Sequence, residues 1–348
     1  MKIAIIGAGI AGTTCAKTLS ERGHHVEIFE ATDEDKPSRP RQMEGSVYFL
    51  DNIPDLDTPR SMKILEIRSR NHQVVRRGKI GFFYEVGGTN GVETKARREV
   101  ARLVPIHYRE TIKSRAELED RFDAIVASDG YRSILAEEAG LRSKTPKQMG
   151  VGVGMTVEGD FDPESMTIWF DNYLSYQGYA YVIPFSKSEA SFVSASIGKE
   201  INSQLYADRL RRLAVSKGWK ILNQWVDFES WYDFSSYCKK NFYVIGNAGS
   251  FTEPAFGFGL KWAIKSAKLC ATALTENLDY DSLIQKEVLQ PDFGPFQVMR
   301  RFFQIATDED YDMFVRSFNR HDIRESVEIG KPADLQTFFD LMERIKSR

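Results

Sequence analysis

Residues Lys2 to Gly12 read KIAIIGAGIAG, an apolar run that stops at glycines spaced Gly7-x-Gly9-x-x-Gly12. Ala11, Cys15 and Leu19 then follow at four-residue intervals, the spacing of one helix face. The pattern predicts a buried strand over Lys2–Ile6, a helix over Thr13–Arg22 closed by Gly23, and a second strand over His25–Glu30. This context, with an acidic residue at the tip of the second strand, is what separates a dinucleotide fingerprint from a chance GxGxxG. Gly7 permits the tight turn, Gly9 lets backbone approach a pyrophosphate, and Gly12 lets helix and strand pack closely. The helix start offers free N–H groups and a favourable dipole to phosphates. Glu30 accepts hydrogen bonds from ribose hydroxyls and repels a 2′-phosphate, which disfavours NADP in this slot. Gly7, Ala8, Gly9, Ile10, Ala11, Gly12 and Glu30 are therefore the first candidate cofactor contacts. NAD and FAD both fit them.

The composition narrows the partners. A chain of 348 residues with 42% apolar and 28% charged residues can bury one large core or two that share an interface. A net charge of -2 is wrong for a general polyanion binder, so nucleic acid is not expected. No apolar run reaches the length of a membrane span, and the short run before the glycines is too brief for a signal peptide. A mature, cytoplasmic chain is the expectation. Cys15, Cys238 and Cys270 are scattered, and the histidines at 24, 25, 72, 107 and 321 have no ligand spacing, so no metal is expected.

Further along, the α/β pattern is interrupted. Asp33–Arg41 reads as a charged loop. Val47–Leu50, Met62–Ile67 and Ile80–Val86 read as strands with a turn at Arg70-Asn71, followed by a basic helix over Val92–Leu103 and strands over Val104–Tyr108 and Phe122–Ala127. Gly150–Val157, Met166–Phe170, Tyr179–Pro184 and Ala190–Ile197 suggest an antiparallel sheet, and Leu205–Ser216 a helix. Phe242–Ile245 is a strand, Lys261–Leu274 a helix, and everything beyond Asp281 reads as helical. The expected division is a discontinuous nucleotide domain (1–44, 87–148, 241–280), a β-rich substrate domain (45–86, 149–240) and a helical C-terminal region (281–348). A ligand cleft is expected between the first two.

Two further glycine junctions make the pattern specific. ASDGYRS (Ala127–Ser133) resembles the DG motif of the para-hydroxybenzoate hydroxylase superfamily of flavoproteins. YVIGNAGSFTEPAFGFGLKWAIKSAKLCATAL (Tyr243–Leu274) is similar to that superfamily's third FAD motif. Within it, the geranylgeranyl reductase family carries a PLTGEGI-like segment before an SGxxAA-like helix; here these read Pro254-Ala255-Phe256-Gly257-Phe258-Gly259-Leu260 and Ser266–Ala271. YAYVIPFSKSEASFVSASIG (Tyr179–Gly198) resembles the same family's YxWxFPK stretch, and FFQIATDEDYDMFVRSF its helical tail.

The resemblance implies an α/β fold: a Rossmann-type FAD-binding domain with an inserted antiparallel β-sheet substrate domain and a helical C-terminal tail. FAD is the implied cofactor. Gly246 and Gly249 would let the chain pass beside the ribityl chain, with Asn247 in place of the family's usual Asp. Pro254, Gly257, Phe258, Gly259 and Leu260 would run beside the flavin ring, and Asp129 would support the dinucleotide. Ala136 stands where the superfamily often has an arginine. Arg39 and Arg41 lie where the family places a basic residue against the pyrophosphate. Arg97, Arg98 and Arg102 read as a solvated helix face.

Tyr179, Tyr181 and Phe256 are the candidate substrate contacts, with Trp169, Phe170 and Phe185 either lining the same pocket or packing the sheet. Cys238 either reaches the site or is an ordinary buried thiol. The family implies reduction of carbon–carbon double bonds in an apolar, isoprenoid-like or lipid substrate by hydride transfer. Its electron donor would be NAD(P)H or a redox protein, and contact with a membrane surface is compatible with a lipid substrate. No side-chain nucleophile or paired-carboxylate signature is present. The competing expectations are an FAD-dependent monooxygenase and a non-catalytic flavin- or lipid-binding protein.

Overall fold

Strongly apolar strands and amphipathic helices sort this chain into two sheets with helices against them. The computed structural model describes residues 1–34, 36, 39–47, 60–142, 149–198, 201–231 and 236–319. It opens with β1 (Lys2–Ile6), α1 (Ile10–Glu21) and β2 (His25–Glu30). Then come β3 (Gln42–Val47), β4 (Arg60–Arg68), β5 (Gln73–Val86), α2 (Val92–Val100), β6 (Ile106–Tyr108), β7 (Ala124–Ala127) and α3 (Ile134–Glu138). The middle holds β8 (Met149–Glu158), β9 (Ser165–Trp169), β10 (Tyr179–Pro184), β11 (Glu189–Gly198), α4 (Ser203–Ser216) and β12 (Lys220–Trp231). The last described part holds β13 (Cys238–Lys239), β14 (Phe242–Val244), α5 (Leu260–Glu276), α6 (Tyr280–Ile284), α7 (Gly294–Ile305) and α8 (Asp308–Ser317).

The first sheet runs β13-β14-β7-β1-β2-β6 and is parallel except for β13. Its central strand explains the unbroken apolar run at the N-terminus, because both faces are covered. Ile3 and Ile5 join the core with α1 and α5, while Ala4 and Ile6 join a second cluster with Leu118, Phe122, Leu135 and Phe242. α1 begins at Ile10, earlier than the expected Thr13, so Gly12 lies inside its first turn. Gly23 has φ +82° and ends the helix as read from the sequence.

The second sheet runs β12-β8-β11-β10-β9-β4-β5-β3. It is not wholly antiparallel as expected: β4 and β9 pair in parallel, from Ile64 opposite Ser165 to Arg68 opposite Trp169. The chain between them passes through the first sheet, and so long a crossover can join parallel neighbours. β12 had no counterpart in the sequence reading. It is an edge strand whose polar residues hide its apolar alternation, and it pairs with β8 through two register shifts. β3 belongs to this sheet from Gln42 onward; the rest of the strand expected over Val47–Leu50 lies outside the described residues.

The C-terminal helices pack on the second sheet. Phe170 stacks on Phe303 at 5.9 Å and meets Phe314 edge-on at 4.9 Å. Asp312 of α8 accepts hydrogen bonds from Ser69 Oγ at 2.6 Å and from Asn71 N and Nδ2 at 3.0 and 2.7 Å, which fastens α8 to the β4–β5 turn. Residues 281–319 are largely helical; the remainder of the expected helical region lies outside the described residues. Among the described residues no helix is long and apolar enough to cross a membrane.

Candidate active site

The first glycine turn is held by backbone contacts that leave no room for side chains. A Cβ on Gly12 would sit 2.0 Å from the Gly7 carbonyl oxygen, and one on Gly7, whose φ is +100°, would sit 2.5 Å from the Ser128 carbonyl oxygen. Ser128 closes the turn from β7 by donating to the Ile6 and Gly7 carbonyls at 2.9 and 2.8 Å. Gly9 differs: a Cβ there meets nothing within 4 Å. It is the N-cap of α1 and supplies no side chain to the helix's first N–H groups.

Glu30 is buried behind this turn. Its Oε2 accepts from Ala8 N at 2.7 Å, and its Oε1 accepts from Thr32 N and Oγ1 at 2.9 and 2.8 Å. Arg97 corrects the expectation of a solvated helix face. It is only 3% exposed, lies 3.8 Å from Glu30 Oε2, and donates to Thr32 Oγ1 and the Lys36 carbonyl, each at 3.2 Å. The inward turn of α2 that buries it is set by packing between elements, so a run of basic residues could not single it out. Arg98 and Arg102 do lie at exposed positions.

The DG loop is stabilised in an unforeseen way. Ala136 supplies no arginine here, and Arg142, which returns after α3, donates to the carbonyls of Tyr131 and Ser133, the latter at 2.8 Å. Burial pushes the Asp129 carboxyl up to about 6, opposed by hydrogen bonds from Ser133 and its own backbone and by the charge of Arg142. Asp129 Oδ1 is buried without a hydrogen-bond partner, although the residue lines an open groove.

The late glycine turn packs directly on the first. A Cβ on Gly246, which has φ +56°, would sit 2.6 Å from the Ala11 Cβ. Gly246 N donates to Ser266 Oγ of α5 at 3.0 Å, and Asn247 Oδ1 accepts from Thr252 Oγ1 at 2.9 Å. The turn that follows is organised by Glu253, a fully buried residue that the sequence reading passed over. Its carboxylate accepts from the backbone N–H groups of Ala255, Phe256 and Phe258. That fixes the Pro254–Gly259 segment, with Gly257 at φ +76°, and α5 then begins at Leu260, with Gly259 as an N-cap that supplies no side chain.

These parts enclose a groove of about 530 Å³, lined by Gly7, Gly9, Ile10, Ala11, Glu30, Asp129, Gly246, Asn247, Gly257, Gly259 and Leu260 among others. It is a size that suits a substantial ligand. Ala8 and Gly12 lie beneath the turn rather than in the lining, and Pro254 lines neither cavity. Arg39 lines the groove and pairs with Glu44 and Glu93 at 3.4 and 3.2 Å. Arg41 does not line it: it pairs with Glu85 and Glu189 at 3.1 and 3.2 Å and covers the Phe185 ring.

A smaller pocket of about 70 Å³ adjoins the groove, the two sharing Gly257 and Glu44 in their linings. It contains Tyr179, Tyr181, Phe256 and Phe258, with Met166, Ile168, Ile183 and Trp225 completing its apolar wall. Tyr179 donates its hydroxyl to the Phe256 carbonyl at 2.6 Å, tying β10 to the late turn. Trp169 faces another cluster, whereas Phe170 packs against the Tyr179 ring at 6.3 Å in the same core without entering either lining. Trp225 was missed with β12. The trace it left in the sequence is the alternating Gly150, Gly152 and Gly154 of β8, where a Cβ on Gly154 would fall 2.1 Å from the indole. Cys238 lies in neither lining, and burial near Asp281 raises its thiol to about 11. Among the described residues no cluster of three or more His, Cys, Asp or Glu could hold a metal.

Comparisons with known proteins bear on the family and the fold. Residues 5–34 match the NAD(P)-binding Rossmann-like domain, and residues 92–348 match the family described as lycopene cyclase protein. A curated relative, digeranylgeranylglycerophospholipid reductase 2 of Methanothermobacter thermautotrophicus, is 25% identical over 164 residues, covering 44% of this chain and 41% of that protein. The chain thus spans less than half the length of that relative. A geranylgeranyl bacteriochlorophyll reductase-like protein from Thermoplasma acidophilum superposes with a TM-score of 0.74 at 14% identity, over 100% of this chain and 96% of the other. CmlS, a flavin-dependent halogenase, superposes with a TM-score of 0.66 at 15% identity, over 100% of this chain and 76% of the other. The fold is that of FAD-dependent oxidoreductases, as the glycine junctions and their resemblance to geranylgeranyl reductases imply.

Proposed function

We propose that this chain, which belongs to the lycopene cyclase protein family, is an FAD-dependent oxidoreductase that reduces carbon–carbon double bonds of an apolar, isoprenoid-like substrate. The observation that carries this conclusion is the junction of two cavities at Gly257: a long groove between two glycine turns on one side, and a pocket walled by aromatic and aliphatic side chains on the other.

The residues present fit FAD. Two helices, α1 and α5, begin at glycines without side-chain caps, and both starts line the groove. The open space beside Gly9 and Gly130 and the unpartnered Oδ1 of Asp129 supply room and an acceptor for a polar ligand. The α1 start would hold the phosphates, and Glu30, with lone pairs beyond those used by Ala8 and Thr32, would take ribose hydroxyls. Asn247 offers an acceptor and a donor to a polyol chain, and the α5 start favours negative charge at the far end. When bound and reduced, FAD supplies a hydride donor. Tyr179, Tyr181 and Phe256 would orient an apolar chain and exclude water from it. The reductant would be NAD(P)H or a redox protein. A cytoplasmic protein that touches a membrane surface would have access to a lipid substrate.

A second reading is an FAD-dependent monooxygenase, supported by the shared fold with a flavin-dependent halogenase and an oxygenase. One experiment separates the possibilities. The purified protein is saturated with FAD, reduced, and mixed with a digeranylgeranyl glycerophospholipid or with lycopene, without and then with air. Product that gains two hydrogens per double bond under anaerobic conditions supports the reductase. Product that gains oxygen only in air replaces it with the monooxygenase, and a ring formed at unchanged mass makes the protein a cyclase. Protein that takes up no FAD refutes the whole proposal.

A further inference from the structure

Saturating an alkene takes a proton as well as a hydride. One carbon accepts the hydride; the other uses the broken π pair to bind the proton. The source of that proton must reach an otherwise apolar pocket. Among the described residues of its lining, the titratable side chains are Glu44, Tyr179 and Tyr181, and Glu44 is the one carboxylate. Tyr179 already directs its hydroxyl to the Phe256 carbonyl.

Glu44 sits on β3 where the two cavities meet and lines both. Its side chain is 19% exposed, and it accepts from Gln42 Nε2 and from the Tyr84 hydroxyl, each at 3.3 Å. Arg39, which lines the groove, is 3.4 Å from its Oε1. The next residue, Gly45, has Phe83, Ile183 and Met166 within 3.1 to 3.2 Å of where a Cβ would be, so the strand has little freedom to shift there. Glu44 is thus held at the passage between a polar, water-accessible groove and an apolar chamber.

We propose that Glu44 is the proton donor of the double-bond reduction, loaded from solvent, to which its side chain is 19% exposed, and discharging onto the alkene carbon that does not receive the hydride. This rests on the reductase reading above. In the step, the Glu44 O–H bond breaks and a C–H bond forms. The two electrons travel with the hydride and are restored by the NAD(P)H or redox-protein reductant. The carboxylate left behind faces Arg39 and is reprotonated from solvent.

The local charges set a condition on this role. Arg39, Gln42 and Tyr84 surround the Glu44 carboxyl, and Glu93 shares Arg39 at 3.2 Å. Tyr179 and Tyr181 face the same chamber. An apolar ligand that displaces water removes solvation from the charged form and favours the acid. Substrate entry itself therefore loads the donor.

The test compares wild type with E44Q and E44D. Geranylgeraniol binding is measured calorimetrically near neutral pH in buffers of different ionisation enthalpy, which reports proton uptake without any turnover. FAD uptake reports that each variant is folded. Wild type should take up a proton on binding and E44Q should not. Single-turnover saturation in E44Q should fall by about 10²- to 10⁴-fold, with E44D between and the pH dependence flattened in E44Q. Equal proton uptake in wild type and E44Q, or saturation by E44Q within about threefold of wild type, overturns the assignment, since removing a general acid should cost far more. Wild type that binds FAD and geranylgeraniol but saturates no double bond overturns the reductase reading instead, and the proton-uptake comparison still decides whether Glu44 responds to the ligand.

Discussion

Replacing Gly9 and Gly12 separately by alanine should divide two roles that the glycine motif combines. At Gly12 the new Cβ would lie 2.0 Å from the Gly7 carbonyl oxygen and 2.5 Å from Ser128 Oγ, whereas ordinary contacts start near 3.4 Å. The turn must open by more than an ångström, which pushes α1 against its packing on α5. Overpacking of this kind costs about 3 kcal/mol, and the gain from replacing a helical glycine, about 0.5–1 kcal/mol, offsets only part of it. At Gly9 the Cβ enters open space, and φ of −74° with ψ of −176° suits any residue. Alanine is a poorer N-cap than glycine by something under about 1 kcal/mol, balanced by a similar gain from a stiffer unfolded chain. The stability of Gly9→Ala without ligand should therefore stay within about 1 kcal/mol of wild type. Its methyl group would nonetheless stand where the proposed FAD would bring a phosphate. Losing one charge-assisted hydrogen bond, about 1.5–3 kcal/mol, lowers FAD affinity by roughly ten- to a hundredfold. Urea unfolding of the ligand-free proteins and FAD titration followed by flavin fluorescence measure the two effects. A Gly9→Ala protein that binds FAD as wild type does, or a Gly12→Ala protein as stable as Gly9→Ala, would refute the reasoning.

Arg97→Met should destabilise the protein by about 3 kcal/mol, because it strands the buried Glu30 carboxylate and the Lys36 carbonyl; urea unfolding checks the loss, and FAD titration should show weakened binding as Glu30 shifts. Asp129 gives a pH test. Its carboxyl is raised from 3.8 to about 6, so the folded state holds the proton more tightly than the unfolded state. This contribution is full below pH 3.8 and is lost as pH rises to about 6, by an amount on the order of 2–3 kcal/mol. Asp129→Asn should remove that slope from unfolding curves measured without FAD across the same window. Tyr179→Phe should cost about 1–3 kcal/mol by leaving the buried Phe256 carbonyl unpaired, and limited proteolysis should then cut the Pro254–Gly259 segment faster.

What can be read along the chain, and what cannot, divides by the range of the interactions involved. The opening βαβ unit is legible because each glycine meets a backbone demand set within a few residues: Gly7 at φ +100°, Gly12 against the Gly7 carbonyl, Gly23 at the end of α1. The late turn is legible for the same reason, and continuous apolar runs announce the strands buried on both faces. β12 escaped because an edge strand needs apolar residues on one side only, and its polar positions mask the alternation. The parallel pairing of β4 with β9 has no local signature at all.

The site follows the same division. Sequence alone determined the glycine turns, the acidic tip at Glu30 and the aromatic strand bearing Tyr179 and Tyr181, since conformational freedom and side-chain chemistry belong to individual residues. Only the tertiary structure decided that Arg97 turns inward to Glu30, that Arg142 holds carbonyls of the DG loop, and that Glu253 gathers three backbone N–H groups. It also decided that Glu44 and Gly257, more than two hundred residues apart, border the same two cavities. A charged side chain takes its role from the partners that packing brings to it and the water that packing removes, and neither is written in its neighbours along the chain.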